Sequence, residues 1–89
     1  MASEKRLKIQ NKLGLHARPA ALFVQTASKY TSEIKVEKDG EEVNGKSILG
    51  LMSLAAAYHD VITLMAEGED ESKAVEGLGE LIESKFGEE

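Results

Sequence analysis

The chain contains no cysteine, a single proline and no long apolar run. Without cysteine there are no disulfides, no thiolate nucleophile and no cysteine metal site, which fits a reducing cytosol. The most apolar stretch, "SILGLMSLAAAY", is internal and short of the roughly 18 residues that a membrane-spanning helix needs. The start, "MASEKRLKIQ", is charged and lacks the apolar core of a signal peptide. The expectation is a cytoplasmic protein without membrane insertion. Basic charge is also in deficit: 11 Lys and Arg stand against 16 Asp and Glu, a net charge of -5. Nucleic-acid binding usually rests on a basic face, so none is expected here. The two histidines, His16 and His59, are far apart and have no metal-ligand spacing, so neither a metal nor a cofactor is expected.

What is present is an ordinary globular composition, 42% hydrophobic and 30% charged over 89 residues, enough for one domain spanning 1–89. Leu7 and Ile9 alternate with polar neighbours as in a half-buried strand. Over residues 17–30 the period changes: Ala20, Phe23, Val24, Ala27 and Tyr30 share one helix face. Ile34 and Val36 alternate with charges, Asp39-Gly40 supplies a positive-φ turn, and Val43 lies on the return strand of a hairpin. "KSILGLMSLAAAY" reads as a short helix opening at Ser47, a favoured N-cap residue. "DVITLMAEG" is a fourth strand closed by Gly68. Ala74, Val75, Leu78, Leu81 and Ile82 then mark an amphipathic helix capped by Asp70 or Ser72. The order β-α-β-β-α-β-α implies an open two-layer α+β sandwich, an antiparallel sheet with the helices on one face. The charged termini are expected to fray.

"GLHARPAALF" carries the chemistry. His16 falls at the start of the first helix, where backbone N–H groups lack partners and the helix dipole is positive. That arrangement receives anions, and Arg18 adds a cation suited to phosphate oxygens. A histidine with an ordinary pKa near 6.5 is largely an uncharged nucleophile at neutral pH. Together they point to capture of a phosphoryl group on the ring, held by the N–H groups of Ala17 and Arg18 and by the Arg18 side chain. The same residues also fit a solvent-exposed turn histidine beside a surface cation, and local chemistry does not separate the two. A hydrolase using His16 as base is disfavoured, because no nucleophile or orienting carboxylate accompanies it in the sequence.

"LGLHARPAALFVQTASKY" closely resembles the active-site segment of the HPr family, the histidine-containing phosphocarriers of the bacterial phosphoenolpyruvate-dependent sugar phosphotransferase system. "NGKSILGLMSLAAA" resembles that family's regulatory serine region, and the likeness runs from about Lys5 to Phe86. The resemblance implies a relay rather than an enzyme. Nδ1 of His16 would take a phosphoryl group from enzyme I, phosphoenolpyruvate being the original donor, and would pass it to enzyme IIA domains. Arg18 would hold the phosphate, and Gly14, Ala17 and Pro19 would shape the turn and helix start. Ser47 matches the serine modified by HPr kinase/phosphorylase, and in some lineages the modified form is a co-repressor for a catabolite-control transcription factor. The protein is expected to act as a monomer.

The second helix has more apolar residues than one side of it can bury. Leu51 and Leu54 are assigned to the core; Ile48, Leu49 and Met52 remain as an exposed docking patch near His16, with small Ala17 and Ala21 allowing close approach. His59 is expected to be a solvated loop residue. One alternative stays open: a regulatory HPr-like binding module controlling carbon or nitrogen metabolism. Such paralogues typically lack the active-site histidine, and His16 is present here.

Overall fold

The computed structural model describes residues 2–88. Four strands, β1 (Ser3–Lys8), β2 (Glu33–Lys38), β3 (Glu41–Asn44) and β4 (Val61–Glu67), form one antiparallel sheet in the order β1-β4-β2-β3. Three helices, α1 (Ala17–Ala27), α2 (Ile48–Ser53) and α3 (Glu71–Glu83), complete the open-faced α+β fold. The sheet register explains why one face is apolar. Leu7 pairs with Ile62, Ile34 with Ala66 and Val36 with Leu64, and all six are buried, while their strand neighbours point to the other face.

Onto that face the helices place Ala20, Phe23 and Ala27 from α1, Leu51 from α2, and Ala74, Val75, Leu78 and Ile82 from α3. Each fully buried large side chain contributes about 1.5–3 kcal/mol relative to exposure. Asp39 and Gly40, with φ of 53° and 87°, make the tight β2–β3 turn expected of an Asp-Gly pair. Leu54 and Ala56, on the segment after α2, also join the core.

Three expectations need correction. The first helix ends at Ala27, not Tyr30; the N–H groups of Lys29 and Tyr30 turn back to Thr26 and Ala27, and half-buried Tyr30 packs on the core from the turn. Asp70 does stand at the N-cap of α3, but its side chain makes no cap bond. Its carboxylate instead accepts from the N–H of Thr31 at 2.8 Å, the N–H of Ser32 at 3.0 Å and the Ser32 hydroxyl. Nor does the C-terminal segment fray as far as Glu88. After α3 a 3-10 turn over Lys85–Gly87 buries Phe86 in the core, an apolar anchor that the charged composition of the tail conceals.

The Ser32 hydroxyl, followed by the Thr31 N–H, holds the Asp70 carboxyl down at about 2, against its ordinary 3.8. A group depressed on folding stabilises the protein above its unfolded pKa, and that stability is lost as pH falls through the folded value. The wild-type melting temperature should therefore drop between pH about 4 and 2 more steeply than that of Asp70→Asn, as thermal denaturation across that range will show.

Candidate functional site

His16 is the N-cap of α1, with extended φ/ψ of -84° and -170°, and its carbonyl accepts the first helical bond from Ala20 at 3.0 Å. Its side chain makes no cap bond. Proline at 19 has no N–H, so the open donors of the first turn belong to Ala17 and Arg18, and no described residue accepts from either. Arg18 is exposed and makes no ion pair among the described residues. The head of α1 thus carries the His16 ring, two open backbone donors and, two residues on, an exposed guanidinium without an ion-pair partner among the described residues.

The approach to this helix start depends on Gly14. Its φ is +71°, and a Cβ there would sit 2.5 Å from the Ala56 carbonyl oxygen and 2.9 Å from the Ala57 Cα. Backbone contact at that point lets the Leu15 N–H reach the Ala56 carbonyl at 2.8 Å, tying the loop before α1 to the loop after α2. The second loop is itself held firmly. The Asp60 carboxylate accepts from the Ala57 N–H at 2.8 Å and pairs with Lys38 at 3.2 Å, and these two contacts lower its pKa, the Ala57 bond most. Lys38 Nζ also donates to the carbonyls of Leu54 and Ala55 at 3.2 and 3.3 Å.

This tie brings the apolar residues to the histidine. A shallow depression beside His16 is lined by Leu13, Leu15, Met52 and Ala55–Ala57. Ile48, Leu49 and Met52 are exposed, Leu49 by 82%, whereas Leu51 and Leu54 are buried as their spacing predicts. Ala17 is exposed and Ala21 half-buried on α1. Leu13 is 75% exposed and belongs to the same surface. Sequence reasoning gave Leu13 no role.

Ser47 caps α2: its hydroxyl accepts from the Gly50 N–H at 3.0 Å while remaining half-buried. His59 is exposed, stacks on Tyr58 with ring centroids 3.7 Å apart, and takes no part in the cluster around His16. No group of three potential metal ligands occurs among the described residues.

Sequence reasoning also missed a residue that touches His16 directly. The Glu88 carboxylate lies 3.1 Å (Oε2) and 3.4 Å (Oε1) from His16 Nε2, so an orienting carboxylate does accompany the ring. Only the turn around Phe86 reveals it, because 88 and 16 stand at opposite ends of the chain. Among the described residues no hydroxyl is hydrogen-bonded to the ring, so the pair still lacks the nucleophile a hydrolase would need.

Comparison with known proteins shows the family. Residues 3–84 match a family model described as the PTS HPr component phosphorylation site. The HPr-like protein Crh of Halalkalibacterium halodurans is 56% identical over 82 residues, covering 92% of this chain and 98% of the relative. The phosphocarrier protein HPr of Neisseria meningitidis is 52% identical over 85 residues, 96% of each chain. The crystal structure of HPr-C-His from Thermoanaerobacter tengcongensis superposes with a TM-score of 0.94 at 61% identity, covering 98% of both chains.

Gly14→Ala should cost at least about 1 kcal/mol, since the left-handed backbone alone carries roughly that penalty for a residue with a Cβ. Chemical denaturation should show it as a lowered midpoint at unchanged slope.

Proposed function

The chain belongs to the HPr family of the phosphotransferase system, and from that premise we propose that it is a cytoplasmic phosphoryl relay. Nδ1 of His16 accepts a phosphoryl group from phospho-enzyme I, charged originally by phosphoenolpyruvate, and passes it to enzyme IIA domains. The observation that carries this reading is the histidine at the head of α1, with two open N–H groups following it and Arg18 exposed in the same turn. Nε2 faces Glu88, and Nδ1 has no hydrogen-bond partner among the described residues. As the phosphoryl group arrives, its oxygens meet the N–H groups of Ala17 and Arg18 and the Arg18 side chain, so charge is received by donors already in place. The protein supplies no second reactant. It carries the group as a transient phosphohistidine and turns over only with its partners.

Docking is assigned to the exposed apolar surface of Ile48, Leu49 and Met52, extended by Leu13 and bordered by Ala17 and Ala21. Ser47 lies at the edge of that surface and would be the regulatory site for HPr kinase/phosphorylase. A phosphate there adds roughly -1.5 to -2 charge at a helix N-terminus, which tolerates it. The effect falls on the partner instead: about 2.7 kcal/mol of lost complementarity lowers transfer a hundredfold.

The 56% identity to an HPr-like Crh favours one second reading, a regulatory HPr-like module in which modified Ser47 serves control of carbon or nitrogen metabolism, with a catabolite-control transcription factor as partner. His16 weighs toward the relay.

With enzyme I and labelled phosphoenolpyruvate, His16→Ala should fold normally and take no label, and Arg18→Ala should label more slowly but fully. Label persisting in the His16 variant would place the acceptor elsewhere. Ser47→Asp should melt like the wild type yet accept phosphoryl groups from enzyme I far more slowly; unimpaired transfer would remove Ser47 from the docking edge.

A further inference from the structure

The geometry points to Glu88 as a positioning residue for His16, held in place by Asn11, an inference that rests on the relay reading. Asn11 is fully buried, and its side-chain amide makes two bonds, to the Gly14 carbonyl at 2.7 Å and to Glu88 Oε1 at 3.0 Å. Both partners are acceptors, so the atom facing them is the nitrogen, and Oδ1 is left buried without a partner. One buried amide therefore holds both the loop that presents His16 and the carboxylate that meets its ring.

The backbone is bent to deliver that carboxylate. Lys85, Phe86 and Gly87 have φ of 63°, 55° and 76° in succession. Two non-glycine residues in the left-handed region are costly, and such strain clusters where position matters. Phe86 buries its ring in the core while the Glu88 N–H closes on the Lys85 carbonyl at 2.8 Å. The Glu88 side chain is 17% exposed at the contact and the His16 side chain 36%.

An ionised carboxylate only accepts hydrogen bonds, so the ring nitrogen facing it carries the proton. With Nε2–H donating to Glu88, the lone pair lies on Nδ1. When Nδ1 attacks the donor's phosphorus, the new N–P bond forms and the donor's bond to phosphorus breaks, its electron pair leaving on the donor atom. The ring keeps its Nε2 proton and acquires positive charge, which the Glu88 carboxylate balances across the 3.1 Å bond. The charge disperses again when the phosphoryl group is passed on.

The test compares wild type, Glu88→Ala and Glu88→Gln in the full chain by NMR and by enzyme I phosphorylation kinetics. The wild type should show a downfield Nε2–H proton of His16, retained in Glu88→Gln, which keeps an acceptor, and lost in Glu88→Ala. kcat should fall about tenfold in Glu88→Ala at unchanged KM, the scale of one lost charge-assisted hydrogen bond, with Glu88→Gln between the two. An unchanged Nε2–H signal or an unchanged kcat in Glu88→Ala overturns the assignment, and a change confined to KM reassigns Glu88 to docking. A wild type that takes no phosphoryl group overturns the relay itself, and the positioning role with it.

Discussion

The site rests on a backbone contact that no side chain could replace. Gly14 packs against Ala56 and Ala57 with no room for a Cβ, and the Leu15 N–H bonds the Ala56 carbonyl across the same gap. That contact joins the segment leading into α1 to the segment leaving α2. It sets the histidine at one helix's head beside Met52 of the other. Lys38 and Asp60 brace the far side of the junction from the sheet, so the core beneath is coupled to the loop that presents His16.

The electrostatics at His16 divides between its two nitrogens. On the proposed reading, one side is the head of α1, where the open N–H groups of Ala17 and Arg18 and the Arg18 cation receive an arriving phosphate. On the other, Glu88 suits the positive ring that remains once the group has bonded. The core takes Leu51 and Leu54, while Ile48, Leu49 and Met52 stay exposed.

Much of this was legible in the sequence. Alternation in "EIKVEK" and "VITLMAE", the 3.6-residue spacing of Ala20, Phe23 and Ala27, and the Asp39-Gly40 turn each express local rules that tertiary structure leaves intact. His16 and Ser47 were legible for the same reason: an N-cap is defined by its neighbours. The failures were long-range. Asp70 occupies a cap position yet serves the start of β2, and Glu88 meets His16 only because three left-handed residues and a buried Phe86 turn the tail back. Neither partnership leaves a spacing pattern, since the contacting residues are separated by whole elements. Leu13 escaped because a lone exposed leucine in a turn has no periodicity.

On the proposed reading His16 carries the phosphoryl group on the nitrogen turned away from Glu88. NMR of protein phosphorylated by enzyme I, with nitrogen-15 in the imidazole and phosphorus detected through its bond, tests it most directly. Phosphorus coupled to Nδ1 of His16, with Nε2 still protonated, is the predicted result. Phosphorus on Nε2, or on any other residue, would contradict the account.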